Sequence, residues 1–178
     1  MPNLETARLI LRPFVQSDLD ALAEMFADPK VMRYLPAGQG ISRERPQVAL
    51  TRYIENWEAH GHGLNAVITK TNQKLIGHCG LEPLNNTKEI ELSYGFAQSH
   101  WGQGFATEAS RACIVFGFDI LGLEQIVAIV VPENTASQRV LEKLGMHYIQ
   151  DASYYHLNVR YYRLTKAEYQ QSPLYEGK

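Results

Sequence analysis

Apolar residues recur along this chain with two different periods, which together outline its secondary structure. Spacings of three and four residues predict helices, whereas alternation or a short unbroken apolar run predicts strands. The helical spacing indicates five segments, at 19–26, 43–60, 106–121, 134–144 and 166–171. The strand pattern indicates seven, at 8–13, 64–69, 75–84, 89–97, 126–131, 146–152 and 156–165.

The order of these elements, β-α-α-β-β-β-α-β-α-β-β, narrows the fold class. The short links between the strands in the middle of the chain, including a turn around Asn85 and Asn86, favour antiparallel neighbours. The unbroken apolar run at 126–131 follows a long helix and is typical of a strand covered on both faces after a crossover connection. We predict a mixed α/β (α+β) fold with a mostly antiparallel sheet of about seven strands. Helices and strands alternate too irregularly for a doubly wound fold.

Length and composition favour one soluble globular domain spanning residues 1–178. The chain is 45% hydrophobic and 20% charged, close to the average of folded proteins, and no repeat or linker divides it. Its net charge of −2 provides no overall positive field for nucleic acid or an anionic membrane. No apolar run approaches the roughly 20 residues of a membrane span, and the first residues lack a signal-peptide pattern. We therefore expect a cytoplasmic protein with neither nucleic-acid nor membrane partners.

Cysteine and histidine spacing gives no reason to expect a metal. Cys79 and Cys113 lie inside apolar patterns and match no metal or redox motif, so we expect buried, reduced thiols. His60 and His62 flank Gly61 with no third ligand nearby in sequence, which favours a solvated turn.

The most informative segment precedes the longest predicted helix and contains two glycines. Gly102 and Gly104 allow the backbone to bend, and the first amides of a helix with its positive dipole end favour phosphate. A plain tight turn is the alternative. A Walker loop would need a lysine after the second glycine, and a dinucleotide motif would need a third glycine, so both of those phosphate-binding motifs are disfavoured.

A second segment, Asn134-Thr135-Ala136-Ser137, opens the next helix about 30 positions later. Together the two segments resemble the coenzyme A binding motifs of the GNAT N-acetyltransferase superfamily. Within that superfamily, the stretches at 4–13 (LETARLILRP) and 101–109 (WGQGFATEA) are similar to the RimJ/RimL-type branch, which contains the ribosomal-protein N-terminal alanine acetyltransferases. The resemblance covers about residues 4–169.

This resemblance implies a single GNAT-type domain, with helices on both sheet faces and the strands at 89–97 and 126–131 splayed to admit coenzyme A. Main-chain groups of Phe96 and Ala97 would pair with pantetheine as an added strand. Asn134 would either cap its helix alone or cap it and also contact pantetheine. The pyrophosphate would lie on the amides of Gly102, Gln103, Gly104, Phe105, Ala106 and Thr107. Acetyl-CoA is the expected co-substrate, and no metal is expected.

The implied reaction is direct attack of a primary amine on the thioester of acetyl-CoA. The amine would be a protein N-terminal α-amine or a small-molecule amine; the acceptor's identity and the choice between monomer and homodimer stay open. The alternative from a different class is a catalytically weak module that binds acyl-CoA and regulates. A nucleotide hydrolase or kinase is disfavoured because the phosphate-loop lysine is missing.

Two residues are the expected catalytic groups. Glu91 matches a glutamate of the branch and is the candidate general base, acting through water; an exposed strand carboxylate is the alternative, with Glu82 and Glu89 as rivals. Many superfamily members carry a tyrosine acid seven positions after the helix-opening asparagine, but that position here is Leu141. Ser137 is therefore expected to contact the coenzyme A sulfur, unless it merely bonds backbone amides in the first helical turn.

The acceptor pocket is expected between the first two helices and the last hairpin. The candidate lining residues on the helical side are Arg33, Tyr34, Arg52 and Tyr53. The hairpin tyrosines are strand-forming core and surface residues, or alternatively line the pocket and hold a cationic amine; they are Tyr154, Tyr155, Tyr161 and Tyr162.

Overall fold

The computed structural model of the chain describes residues 3–34, 45–84 and 87–176. Its strands are β1 (Leu4–Glu5), β2 (Leu9–Pro13), β3 (Leu64–Thr69), β4 (Leu75–Pro83), β5 (Ile90–Phe96), β6 (Gln125–Val130), β7 (His147–Tyr154) and β8 (Leu157–Thr165). Its helices are α1 (Leu19–Phe26), α2 (Pro29–Met32), α3 (Arg45–His60), α4 (Phe105–Asp119), α5 (Thr135–Lys143), α6 (Lys166–Gln170) and α7 (Pro173–Glu176). These elements confirm the mixed, mostly antiparallel fold class.

The described strands form one sheet in the order β1-β2-β3-β4-β5-β6-β8-β7. The sequential neighbours from β1 to β5 are antiparallel. Short turns join these pairs except β2 and β3, which are connected through α1, α2 and α3, whereas the crossover through α4 makes β6 run parallel to β5. The sheet has eight strands instead of seven because β1 is only two residues long and pairs with β2 at Leu4 and Leu11. Such a short segment shows no alternation, and the four-residue helices α2 and α7 were missed for the same reason.

Most predicted boundaries agree with the structure to within two residues. Two predicted features, the start of the second helix at 43–44 and the turn at 85–86, lie outside the described residues.

The sheet carries a hydrophobic cluster on each face because successive strand residues point to opposite sides. Val67 of β3 packs with α4 and α5, and its neighbours Ala66 and Ile68 pack with α1 and α3. On the α4 side, Cys79 and Cys113 are buried and free, with their sulfur atoms 3.7 Å apart. The expectation of buried reduced thiols is confirmed.

The feature of the sheet that matters for function is the separation of β5 and β6. The two strands pair only at Glu91 and Val127 and diverge beyond that point. The Ala97 N–H donates to Ile76 O, so alternation along β5 turns the main-chain groups of Tyr94 and Phe96 away from β4 and into the gap. The expected splay is present, and it leaves strand backbone facing open space.

Candidate active site

A cavity of about 1110 Å³ passes through the gap between β5 and β6. It extends from the start of α4 to the sheet face covered by α1 and α3. The expected site residues that line it are Glu91, Phe96, Gly102, Gly104, Phe105, Ala106, Thr107, Asn134 and Ser137. Ala97 and Gln103 do not line it.

The first wall of this cavity is the turn that leads into α4. Gly102 and Gly104 have φ of +73° and +81°, a region that side-chain-bearing residues rarely adopt. The first helical hydrogen bond runs from Glu108 N to Gly104 O at 3.0 Å, so the amides of residues 105–107 have no carbonyl to bond within α4. Free amides at the positive end of a 15-residue helix suit a pyrophosphate. The residues present therefore fit coenzyme A at this end.

An acidic side chain in the same helical turn, Glu108, is paired with polar and charged groups of the N-terminal segment. Glu108 accepts hydrogen bonds from Thr6 Oγ1 at 2.6 Å, Arg8 N at 2.9 Å and Arg8 Nε at 2.6 Å. Although desolvation acts in the opposite direction, these bonds and the charge of Arg8 hold the pKa of Glu108 below its usual value. Arg8 Nη1 also donates to Gln103 O at 3.0 Å, and its guanidinium lies 4.4 Å from the centre of the Phe105 ring. The segment at 4–8 thus braces the glycine turn.

The strand backbone offered to the gap comes from Tyr94 and Phe96. The Ala97 N–H is bonded to Ile76 O at 2.9 Å, and Ala97 O accepts the His100 N–H at 2.9 Å. The geometry therefore does not favour the pantetheine contact expected of Ala97. The Phe96 carbonyl accepts the Trp101 indole N–H at 2.7 Å, which ties β5 to the glycine turn.

Glu91 lies where β5 and β6 part, and it is only 8% exposed. It faces Glu82 directly across the β4–β5 pair, on the sheet side covered by α3. Burial, reinforced by the nearby Glu82 and partly opposed by a backbone hydrogen bond from Ile129, raises the pKa of Glu91 to about 8. The alternative of an exposed strand carboxylate is therefore wrong.

The two rival carboxylates occupy different surroundings. Glu82 lines the cavity, and burial raises its pKa against the opposing effects of Arg52 and a Ser93 hydrogen bond. Arg52 Nη2 lies 4.0 Å from Glu82 Oε2. Glu89 is outside the cavity lining and accepts hydrogen bonds from Tyr161 Oη at 2.5 Å and Gln125 Nε2 at 3.2 Å.

A neutral imidazole completes this sheet face. His78 is 1% exposed and lies next to Tyr53, with the centres of the two rings 5.9 Å apart. Burial lowers the pKa of His78 to about 4, with a smaller contribution from Arg52. Its Nδ1 has no hydrogen-bond partner within the described part of the chain.

The opposite wall of the gap is the first turn of α5. Asn134 Oδ1 accepts the Ser137 N–H at 3.1 Å, so Asn134 caps the helix as its sequence position indicated. Ser137 Oγ lies 2.7 Å from Tyr94 Oη, which is also 3.3 Å from Ser137 O. Leu141 is 1% exposed and belongs to the core on the α4 side.

Tyr94 is the site residue that sequence reasoning missed. Alternation along β5 predicts only that its side chain leaves the strand on the opposite face from Glu91.

The acceptor end of the cavity is lined by part of the expected set. Tyr34, Arg52, Tyr53, Tyr154 and Tyr155 contribute to it, whereas Arg33, Tyr161 and Tyr162 do not. Burial raises the pKa of Tyr53 to about 12. The aromatic rings come from three separate parts of the chain, which meet at this end of the cavity.

Two negative findings apply to residues 3–34, 45–84 and 87–176. No group of three His, Cys, Asp or Glu side chains there has an arrangement that could hold a metal ion. None of the helices in these ranges combines the length and apolar character required to cross a bilayer.

Comparisons with known proteins agree with this geometry. The family described as "Acetyltransferase (GNAT) domain" matches residues 8–147. The chain is 33% identical over 149 residues to the uncharacterized N-acetyltransferase p20 of Bacillus licheniformis, covering 82% of each protein. The GNAT-family acetyltransferase from Bacillus anthracis has the same fold, with a TM-score of 0.81 and 26% identity over 93% of this chain and 99% of that one.

A further solved structure, RimL, is a ribosomal L7/L12 alpha-N-protein acetyltransferase in complex with coenzyme A. It superposes with a TM-score of 0.79 over 92% of this chain and 98% of RimL, but at 15% identity it shows a common fold alone. The family match, the sequence relative and the bacterial structure lead to one conclusion: the chain belongs to the GNAT acetyltransferase family and is an N-acetyltransferase.

Proposed function

We propose that this enzyme transfers the acetyl group of acetyl-CoA to a primary amine by direct attack of the amine on the thioester carbonyl. The observation that carries the proposal is the continuity of one cavity. It joins the free amides of α4, the backbone in the β5–β6 gap, the half-buried carboxyl of Glu82 and the buried carboxyl of Glu91.

The donor would be held by main-chain groups over most of its length. The amides of Gly102 and of residues 104–107 would hold the pyrophosphate, and the backbone of Tyr94 and Phe96 would pair with the pantetheine arm as an extra strand. Acetyl-CoA supplies an activated acyl group and a good leaving group. Asn134 would act mainly through the helix cap that orients the first turn of α5.

Glu91 would take the proton that the ammonium form of the acceptor loses before its nitrogen attacks. A general base works best when its pKa lies near the operating pH, and the pKa of Glu91 is raised to about 8. A free α-amine has a pKa of about 7.7–8.0, whereas a lysine amine lies near 10.4. Proton transfer from an α-ammonium group to Glu91 is therefore nearly balanced, which favours an acceptor with an α-amine-like pKa over lysine.

Glu82 would support this step by charge. Its carboxyl faces Glu91 across the strand pair, next to Arg52 at the acceptor end. A cationic amine that enters between the two carboxyls favours their ionised forms and thereby prepares Glu91 to accept a proton. The neighbouring rings of Tyr53 and Tyr154 suit the same cation.

The match between the pKa of Glu91 and that of an α-amine also guides the choice of acceptor. We infer that a peptide or protein N-terminus, as in the RimJ/RimL-type branch, is the first acceptor class to test, with small primary amines as the second.

The proposal is tested by mixing the protein with acetyl-CoA and an amine panel while following release of free thiol. The panel contains short peptides with free N-termini, their N-blocked counterparts with and without a lysine, and small primary amines. We expect turnover with at least one free amine and none with the N-blocked peptide that lacks lysine. Coenzyme A binding without thiol release for any acceptor would overturn the proposal in favour of a regulatory acyl-CoA-binding module.

A further inference from the structure

The departing sulfur needs a hydrogen-bond donor, and Leu141 cannot provide one. We propose that Tyr94 is the positioning residue that turns the Ser137 hydroxyl toward the sulfur of coenzyme A, an inference that rests on the proposed acetyl transfer. Tyr94 and Ser137 both line the cavity, and their hydroxyl oxygens are 2.7 Å apart.

The position of this pair follows from the two diverging strands. Glu91 and Tyr94 are three residues apart on β5, so their side chains leave the strand on opposite faces. Tyr94 reaches across to α5, which follows β6, and the hydroxyl pair therefore bridges the two walls of the gap. A thioester held in the gap would have the proton acceptor for the amine on one side and this hydroxyl pair on the other.

The orientation of the two hydroxyls depends on one proton. If Tyr94 donates to Ser137 O, 3.3 Å away, the Ser137 hydroxyl can donate its proton to Tyr94 Oη. That proton is then not available to a ligand in the cavity. If Tyr94 donates to Ser137 Oγ instead, the Ser137 proton points elsewhere and can be donated to a ligand. Donation into a hydroxyl also strengthens the bond that this hydroxyl donates onward.

Tyr94 keeps its own proton throughout. Burial raises the pKa of Tyr94 above its usual value, and the hydrogen bond with Ser137 only partly opposes this effect. The phenol is therefore a permanent donor that supplies no proton to the products. Its contribution is to orient Ser137.

The chemical step balances with this assignment. The amine nitrogen forms the new N–C bond, the C–S bond breaks, and its electron pair goes to sulfur. The acceptor enters as an ammonium group and its nitrogen loses two protons, one to the Glu91 carboxylate before attack and one to water after attack. The sulfur accepts a hydrogen bond from Ser137 and then takes a proton from water. The products are an acetamide and a free thiol.

The first test compares kcat and KM for Tyr94→Phe, Ser137→Ala and the double variant. Phenylalanine keeps the ring that packs against the α4-side core, so Tm should be preserved. We expect each single variant to lower kcat about 10- to 100-fold, the range of one hydrogen bond to a charged group, with KM for acetyl-CoA unchanged. The double variant should lose no more than either single variant, and Ser137→Thr should retain most activity.

Tyr161→Phe is the matched control, because it removes a part-buried phenol hydroxyl that donates to Glu89, and neither residue lines the cavity. It should leave kcat within about twofold of the unchanged protein. Wild-type kcat in Tyr94→Phe, or losses that multiply in the double variant, would overturn the proposal.

A second test does not depend on turnover. Calorimetry at pH 9 compares coenzyme A, whose thiol of pKa about 8.5 is largely ionised, with desulfo-coenzyme A. We expect the unchanged protein to prefer coenzyme A by about tenfold and Tyr94→Phe and Ser137→Ala to lose that preference while binding desulfo-coenzyme A equally well. An equal preference for coenzyme A over desulfo-coenzyme A in all three proteins would refute the role of Tyr94 in orienting Ser137. Absence of acetylation of any amine would refute only the proposed function.

Discussion

Replacing Glu91 by glutamine should change how the stability of this protein depends on pH. The native state holds a proton on Glu91 up to pH about 8, because burial raises the pKa of this carboxyl, whereas the unfolded chain releases it near the ordinary value of 4.5. Between these two values the native state binds one more proton than the unfolded state. The free energy of unfolding therefore falls as pH rises, by up to about 1.4 kcal/mol per pH unit from this group.

His78 acts in the opposite direction over part of this range. Its folded pKa of about 4 lies below its ordinary value of 6.5, so the unfolded state binds more protons between these values and stability rises with pH. The two effects oppose each other from about pH 4.5 to 6.5. The decline caused by Glu91 is unopposed by His78 between about pH 6.5 and 8.

Urea denaturation at several pH values from 5 to 8.5 measures this difference. With an m-value of about 2 kcal/mol/M, the urea concentration at the unfolding midpoint should fall by up to about 0.7 M per pH unit more in the unchanged protein than in Glu91→Gln. Glu58→Gln, which alters an exposed carboxyl of α3, is the control and should run parallel to the unchanged protein. Parallel curves for Glu91→Gln and the unchanged protein would refute the assignment of a raised pKa to Glu91.

Three further outcomes are expected. Gly102→Ala and Gly122→Ala should each cost about 1 kcal/mol, since both glycines have positive φ and open space around the missing Cβ, but only Gly102→Ala should weaken coenzyme A binding in calorimetry. Arg8→Ala should weaken coenzyme A binding several-fold by leaving Glu108 uncompensated, and double replacement with Glu108→Gln should restore part of it. Glu91→Gln should lower kcat/KM at pH 8 by about 100-fold. The pH–rate profile of the unchanged protein should rise near pH 8 whatever the pKa of the acceptor, and this rise should be absent in Glu91→Gln.

Several features could be predicted from sequence because their causes are local. Helical and strand periodicity located every element longer than five residues among those described. The glycines at 102 and 104 indicated a bent turn before a helix, and Asn134 indicated a helix cap, since both signals act within a few residues. The two-residue β1 and the four-residue helices have too few positions to show a period.

The chemistry of the site depended on contacts between distant segments. Glu91 stands in the charged run KEIE at 88–91, which favours a solvated face, but the pairing with β4 and the covering helices bury it opposite Glu82. Arg8 meets Glu108 across 100 positions, and Tyr94 meets Ser137 across 43. Period and propensity describe how a residue relates to its neighbours along the chain, whereas burial, pKa and hydrogen-bond partners depend on which segments pack together, and here the divergence of β5 from β6 decides that arrangement.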